Sequence, residues 1–180
     1  MTTKSIIRSE VRRRRSAFAI SRSHATPVWP QFNLLLSSSA IIGGYIPIGA
    51  EADPARYLAA ARESGCSTAL PRVESHDGDM HFHRWDTGQP LEDGPLGLQQ
   101  PPVHCDIVQP DIILLPLLAF TRYGARLGQG AGHYDRAIAA HTHCLCVGIA
   151  WSVQEYDSLP TDPWDMPLHA VATETEWIAI

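Results

Sequence analysis

The sequence contains no run of 18 apolar residues, and its amino-terminal part lacks the apolar segment of a secretory signal. Cysteine is scarce as well, and the four cysteines show neither a CxxC pair nor the spacing of zinc ligands. We therefore expect a cytoplasmic protein with reduced thiols and no membrane partner. Cys144 and Cys146 lie two residues apart on a predicted strand, and we interpret them as small buried hydrophobic residues.

The chain also lacks an excess of positive charge, since its formal net charge is −5 over 180 residues. A general role in coating nucleic acid is therefore not expected. With 44% hydrophobic and 18% charged residues, the composition is typical of a globular protein. The length suits a single domain over residues 1–180, which we expect to be a monomer.

Positive charge is nevertheless concentrated near the amino terminus, where residues 4–22 are predicted to form a helix. Lys4, Arg8, Arg12 and Arg15 recur with helical spacing and would form a cationic stripe along one face. The pattern alone indicates a solvated basic face. A basic arm that binds RNA or acidic lipid is the alternative.

The most informative stretch of the sequence covers residues 112–136. A continuous apolar run over residues 112–120, interrupted by one proline, predicts a strand buried on both faces. A glycine-rich stretch over residues 124–132 follows, and residues 137–140 are predicted to be helical. This order indicates an anion-binding cradle, because glycine lets backbone N–H groups approach an anion closely. Arg126 could clamp a phosphate oxygen, and Asp135 is well placed to hold Mg²⁺ beside it.

The glycine spacing by itself is not specific. Gly128, Gly130 and Gly132 form GxGxG, which is neither the dinucleotide fingerprint nor a Walker loop. A tight turn with structural glycines is therefore the alternative to phosphate binding.

The complete string LLPLLAFTRYGARLGQGAGHYDR is far more specific than its glycines. It closely resembles the signature of the 5-formyltetrahydrofolate cyclo-ligase family, also called methenyltetrahydrofolate synthetases. The matching positions are Pro116, Leu117, Leu118, Ala119, Phe120, Gly124, Arg126, Leu127, Gly128, Gly130, Gly132, Tyr134, Asp135 and Arg136.

Two motifs earlier in the chain are similar to those of the same family. Lys4 and Arg8 match a K-x-x-x-R pattern at the start of the first helix, whose first turns contact ATP in the family. The string YIPIGAEADP resembles a motif whose glutamate, here Glu51, contacts the pterin ring of the folate. The resemblance places Tyr45 at the wall of the same pocket.

A third motif lies near the carboxyl terminus. Asp165 matches the aspartate of a D-x-P-L element that helps to hold Mg²⁺ in the family. Four positions depart from the family pattern: Thr121 and His169 stand in place of aspartates, His133 in place of a tyrosine, and Leu96 in place of a frequent aromatic residue.

The resemblance implies an α/β fold, a single three-layer α/β/α domain of the NagB/RpiA/CoA-transferase-like superfamily with a mostly parallel central sheet. It implies an ATP- and Mg²⁺-dependent enzyme that cyclises 5-formyltetrahydrofolate to 5,10-methenyltetrahydrofolate through a phosphorylated formyl intermediate, releasing ADP and phosphate. The implied ATP-binding residues are Lys4, Arg8, Arg126, Leu127, Gly128, Gln129, Gly130, Ala131, Gly132, His133 and Tyr134. The other implied roles are folate binding by Glu51, Tyr45 and Tyr134, Mg²⁺ binding by Asp135 and Asp165, and catalysis by Arg126 and Tyr134.

Phosphoryl transfer requires positioning and charge neutralisation more than a covalent nucleophile. This agrees with a sequence that offers no evident Ser-His-Asp or Cys-His arrangement. Two other functions stay open at this point. One is a non-catalytic nucleotide- or RNA-binding module on the same fold, with the basic helix as its contact. The other is ATP-driven cyclisation of a different formylated amine.

The remaining sequence predicts strands that alternate with helices. A helix is expected over residues 54–64. Residues 80–85 are expected to form an edge strand whose His81 and His83 are ordinary surface histidines, and residues 86–102 a long ordered loop. The other predicted strands cover residues 41–48, 66–73 and 144–150.

Overall fold

The computed structural model describes residues 3–19, 26–75, 78–140 and 143–180, apart from the side chains of Leu96 and Ala140. The end predicted for the first helix, residues 20–22, lies outside the described residues. The helices are α1 (Thr3–Ala19), α2 (Pro30–Asn33), α3 (Ala55–Glu63) and α4 (His133–Ala140). None of the described helices is long and apolar enough to span a bilayer.

The strands, in chain order, are β1 (Ile41–Gly43), β2 (Ser67–Val73), β3 (Met80–Arg84), β4 (Glu92–Asp93), β5 (Gln99–Gln100), β6 (Ile107–Val108), β7 (Ile112–Pro116), β8 (Ala119–Phe120), β9 (Arg126–Leu127), β10 (Leu145–Ile149), β11 (Ala170–Ala172) and β12 (Trp177–Ala179). Within the described residues, eight of these strands form the central sheet, in the order β12-β11-β10-β7-β1-β2-β3-β6. The inner strands from β11 to β2 are parallel, and antiparallel strands flank them. The predicted α/β class with a mostly parallel sheet is therefore confirmed.

The direction of winding reverses in the middle of this sheet. From β1 the chain proceeds to β2 on one side, and from β7 it proceeds through β10 to β11 on the other side. Ligands of open parallel sheets bind at the carboxyl ends of the strands beside such a reversal. The crevice above β1 and β7 is therefore the expected place for a functional site.

β7 is buried on both faces, as its apolar run predicts. Ile112 and Leu114 pack into the core that contains residues of α3, whereas Ile113 and Leu115 pack on the opposite face with residues of α4. Successive side chains of a strand point to opposite faces, so a strand covered on both sides needs apolar residues at every position.

The apolar run does not continue as a single strand to residue 120. β7 ends at Pro116, and β8 pairs with β9 in a separate hairpin. Gly124 lies in the hairpin turn with a φ of 90°, a conformation that glycine adopts without strain. The glycine-rich stretch therefore comprises this turn and, beyond β9, a second segment that we call the glycine loop, residues 128–132.

α1 packs against this hairpin. Val11 is fully buried in a small cluster that also contains Leu118, Ala119 and Leu127. The packing fixes the rotation of α1 about its axis. The cationic stripe consequently faces the glycine loop, which Arg8 and Arg12 both contact.

Four expectations about the other elements were wrong. β1 is much shorter than residues 41–48, and residues 86–102 contain the small hairpin of β4 and β5. β3 is not an edge strand, because β6 pairs with its outer side. His83 is a buried residue, only 5% exposed, whose Nδ1 lies 2.8 Å from the carbonyl oxygen of Cys105. His81 is exposed, as expected.

Cys144 and Cys146 are both buried, as predicted, and their Sγ atoms lie 4.0 Å apart. They are not joined by a disulfide. Their role as small hydrophobic residues follows from this burial, since both belong to the core on the α4 side of the sheet.

Candidate functional site

Lys4, at the start of α1, is shared by two carboxylates of the carboxyl-terminal segment. Its Nζ lies 2.7 Å from Oδ2 of Asp162 and 2.8 Å from Oδ2 of Asp165. Desolvation opposes the charge on Lys4, but the hydrogen bonds to both aspartates outweigh it and raise the pKa of Lys4. Desolvation likewise opposes the charge on Asp165, and the contact with Lys4 outweighs it and lowers the pKa of Asp165. Lys4 and Asp165 are therefore both ionised near neutral pH.

One and two turns further along α1, the stripe contacts the glycine loop. Arg8 donates a hydrogen bond from Nε to the carbonyl oxygen of Gly128, at 2.9 Å. Arg12 donates from Nη2 to Oε1 of Gln129, at 2.8 Å. A Cβ atom at Gly130 would lie 3.3 Å from Cζ of Arg8, so the guanidinium lies directly against this backbone. The loop and two cations of α1 thus form one contiguous surface.

Arg126 is buried on the other side of the loop and already has partners. It donates from Nη2 to Oδ1 of Asp135, at the start of α4, and from Nη1 to the carbonyl oxygen of Met166. The backbone N–H of Met166 also donates to Oδ1 of Asp135, at 3.3 Å. Arg126 therefore ties α4 to the segment that carries Asp165.

Asp135 thus contacts the backbone of Met166, the residue that follows Asp165 in the chain. No hydrogen bond from the described residues reaches Oδ2 of Asp135 or Oδ1 of Asp165. The described residues contain no group of three or more His, Cys, Asp or Glu side chains that could hold a metal ion. Mg²⁺ is commonly bound by one or two carboxylates together with phosphate oxygens and water. Two aspartates are enough for a site of this kind, in which a bound phosphate would complete the coordination.

Glu51 lies buried in the segment that follows β1. Its Oε2 accepts a hydrogen bond from the backbone N–H of Ile48 at 3.0 Å, and its Oε1 accepts one from Nε2 of Gln129 at 3.3 Å. Nη1 of Arg15, the last cation of the α1 stripe, lies 3.6 Å from Oε1. Glu51 is therefore joined both to the glycine loop and to α1.

Two tyrosines complete this cluster. Tyr45 is buried and donates from its hydroxyl to the carbonyl oxygen of Ala52, at 2.5 Å. Burial and, after it, the charge of Glu51 raise the pKa of Tyr45 well above its ordinary value, and the same two causes raise that of Tyr134. Both phenols therefore stay neutral near physiological pH and cannot act as bases there.

The structure brings Glu51, Tyr45 and Tyr134, the three residues predicted to bind folate, into one cluster. Lys4 lies beside Asp165, a candidate metal ligand, and Arg8 lies beside the glycine loop, the candidate phosphate site. Other residues that were predicted to bind ATP lie in different environments. Leu127 is buried in β9, so its side chain faces the core. His133 contacts Nη2 of Arg136 through Nδ1. Gly130 and Gly132 have positive φ values, which favour glycine at both positions.

Two departures from the family pattern have structural explanations. Thr121 accepts hydrogen bonds from the backbone N–H groups of Tyr123 and Ala125, and so it stabilises the turn of the β8–β9 hairpin. His169 accepts one from the backbone N–H of Cys146 through Nδ1, at 2.9 Å. The side chain of Leu96 lies outside the described residues.

Sequence patterns indicated no role in binding or catalysis for two residues of this site. Asp162 shares Lys4 with Asp165, and its only signal in the sequence is a carboxylate three positions before Asp165. Arg15 belongs to the cationic stripe that the helical spacing did reveal, but its proximity to Glu51 depends on the tertiary structure.

A cavity of about 320 Å³ lies at the opposite edge of the sheet, where the parallel strands begin. Ser37, Asp111 and His143 are among its lining residues. None of the candidate site residues lines it, so the volume of this cavity gives no information about the site above β1 and β7.

Comparison with known proteins indicates one family. The sequence profile of the 5-formyltetrahydrofolate cyclo-ligase family matches residues 1–174. A 5-formyltetrahydrofolate cyclo-ligase of Haemophilus influenzae is 36% identical over 93 residues, which are 48% of this chain and 50% of that protein. One of Mycolicibacterium smegmatis is 31% identical over 145 residues, 76% of this chain and 74% of that protein. The match to the Haemophilus protein thus spans about half of its length.

Among solved structures, 5,10-methenyltetrahydrofolate synthetase from Aquifex aeolicus is similar over nearly the whole molecule. The TM-score is 0.73 at 30% sequence identity, and the match covers 99% of this chain and 93% of the Aquifex chain. The sequence profile and this structural match both extend from the cationic helix to the segment that carries Asp165. The chain belongs to the 5-formyltetrahydrofolate cyclo-ligase family.

Proposed function

We propose that this chain is a 5-formyltetrahydrofolate cyclo-ligase, which uses ATP and Mg²⁺ to form 5,10-methenyltetrahydrofolate, ADP and phosphate. The observation that supports this most strongly is the position of Gln129 in the glycine loop. Its side chain contacts both Arg12 of the cationic stripe and Glu51 of the buried cluster. A phosphoryl transfer from nucleotide to folate needs the two binding sites side by side, and this residue joins them.

The nucleotide phosphates would lie on the glycine loop. Arg8 and the backbone N–H groups of residues 128–132 would hold their oxygens, with the amino-terminal end of α4 adding partial positive charge. Asp135 and Asp165 would hold Mg²⁺, which neutralises phosphate charge. Lys4 and Arg126, the present partners of these two aspartates, would then be free to contact phosphate oxygens.

The folate would lie on the other side of Gln129, with Glu51 accepting hydrogen bonds from its pterin ring and Tyr134 packing between the two substrates. The formyl oxygen attacks the terminal phosphorus of ATP, and ADP leaves. N10 of the folate then attacks the activated formyl carbon and loses its proton, and the C–O bond to phosphate breaks. Each step depends on alignment and on cations around the phosphate rather than on a covalent nucleophile.

The test is a spectrophotometric assay of the purified protein with 5-formyltetrahydrofolate, ATP and Mg²⁺, which follows the near-ultraviolet absorption of the methenyl product. The expected result is a rise in absorption that disappears when either ATP or Mg²⁺ is left out. A folded protein that binds ATP without this rise would contradict the proposal and would direct the search to other formylated amines. Salt-dependent RNA binding without ATP turnover would instead favour a binding module.

A further inference from the structure

Arg15 is the only member of the cationic stripe, within the described part of the chain, whose guanidinium lacks hydrogen-bond partners for buried atoms. Arg15 is 7% exposed, and its Nε and Nη1 are buried without a hydrogen-bond partner. Lys4, Arg8 and Arg12 each donate at least one hydrogen bond. Burial lowers the pKa of Arg15, and the nearby charge of Glu51 opposes that effect.

The unpartnered donors point to a ligand because buried N–H groups are unfavourable when they lack an acceptor. Pairing with Glu51 does not satisfy them. The distance from Nη1 to Oε1 is 3.6 Å, whereas charge-assisted N–H to carboxylate hydrogen bonds are about 2.7–2.9 Å long. Glu51 instead accepts its hydrogen bonds from Ile48 and Gln129. The guanidinium of Arg15 thus lies beside the carboxylate of Glu51, and its Nε and Nη1 have no hydrogen-bond acceptor.

An acceptor and a set of donors consequently lie next to each other in the cluster proposed to bind the folate ring. The ring of 5-formyltetrahydrofolate carries a carbonyl group next to a ring N–H. Resting on the proposed function, we propose that Arg15 is a specificity-determining residue that donates a hydrogen bond to this ring carbonyl while Glu51 accepts one from the neighbouring ring N–H. Arg15 and Glu51 would together recognise both atoms of that ring edge.

The test compares 5-formyltetrahydrofolate with its analogue in which an amino group replaces the ring carbonyl, a change that also removes the hydrogen from the neighbouring ring nitrogen. The effect of that second change acts through Glu51, which every variant keeps, so it cancels when the Arg15 variants are compared with the wild type. The dissociation constants of both ligands are measured by calorimetry for the wild-type protein and for Arg15→Met. An amino group cannot accept from the guanidinium as a carbonyl does, so the wild type should prefer the carbonyl ring. This preference should fall by about tenfold or more in Arg15→Met, the range expected for one hydrogen bond to a charged group.

Arg13→Met is the matched control, because Arg13 is exposed on the same helix. It should keep the wild-type preference. Arg15→Gln provides a milder change should Arg15→Met not fold, because its shorter amide cannot reach the same acceptor, and the preference should fall in it as well.

An unchanged preference in either folded Arg15 variant would overturn the assignment while leaving the proposed function intact. A purely structural role of Arg15 would weaken the binding of both ligands equally and is excluded by a change in their ratio. A folded wild-type protein that binds neither ring would overturn the proposed function, and the role of Arg15 with it.

Discussion

The cations at the two ends of the stripe on α1 differ in how closely they are paired with carboxylates. At the amino-terminal end, Lys4 makes two ion pairs of hydrogen-bonding length and its side chain is 20% exposed. At the other end, the side chain of Arg15 is 8% exposed and lies 3.6 Å from Glu51. Water can replace a lost partner at the first end but not at the second. In the proposed function, the Lys4 end contacts the nucleotide and would exchange partners on binding, whereas the Arg15 end contacts the folate and would gain a partner.

Arg126 contacts Asp135, which is proposed to lie at the nucleotide site, and its replacement should have the largest effect on activity. In Arg126→Lys, a single ammonium group cannot make both contacts of the guanidinium, to Asp135 and to the carbonyl of Met166, and cannot then reach a phosphate oxygen in the same geometry. We expect kcat to fall by about 100-fold, the range for the loss of a donor that stabilises transition-state charge. The measurement is the absorption assay, together with thermal unfolding of the same preparation.

The charge beside Asp135 is retained in Arg126→Lys, so its unfolding midpoint should change much less than its turnover. Arg126→Ala removes the charge and should cut turnover further while it also lowers stability. Arg13→Lys serves as the control on the exposed face of α1. Loss of activity in parallel with loss of folded protein in both Arg126 variants would assign Arg126 to the scaffold rather than to the reaction.

The next effect belongs to the folate end. Glu51→Gln keeps the shape of the side chain but removes the buried charge beside Arg15. We expect KM for 5-formyltetrahydrofolate to rise by about tenfold or more, because a hydrogen bond to a charged group is lost. KM for ATP should stay near its wild-type value. Similar increases in both constants would contradict the separation of the two ends.

A smaller effect is expected on the Mg²⁺ requirement, and it should differ between the two carboxylates that share Lys4. Asp165→Asn removes a proposed metal ligand, so the Mg²⁺ concentration that gives half-maximal activity should rise by about tenfold. Asp162→Asn is the matched variant, since it removes the other partner of Lys4 but no proposed ligand. The measurement is a Mg²⁺ titration of the assay. Equal shifts in both variants would show that the charge on Lys4, rather than metal binding, controls the response.

The smallest effect concerns stability. The pKa of Asp165 is lowered, so its contribution is present above the ordinary pKa of 3.8 and is lost as pH falls through the lowered value. The pKa of Lys4 is raised, so its contribution is present below 10.5 and is lost as pH rises through the raised value. Denaturant unfolding of the wild type and of Asp165→Asn should therefore differ by less than about 1 kcal/mol at neutral pH. Their difference should diminish in strong acid, and a constant difference down to that range would contradict the ion pair.

Sequence patterns predicted those parts of the fold in which neighbouring residues carry the signal. The apolar residues of β7 required burial on both faces, and the helical spacing from Lys4 to Arg15 defined one face of α1. The patterns could not predict that β8 and β9 form a separate hairpin, because that depends on where the chain leaves the sheet after Pro116. Nor could they predict the burial of His83, which depends on the carbonyl of Cys105 far along the chain.

The sequence by itself determined the class of the protein. Its strands and helices alternate, and its glycine-rich string is specific enough to indicate the family that the profile match establishes. The tertiary structure alone decided which charges meet. Asp162 and Asp165 reach Lys4 across almost the whole chain, and Glu51, in the segment after β1, lies beside Arg15 of α1. Local patterns record propensity and burial, whereas an ion pair between distant residues exists only once packing has brought its two charges together.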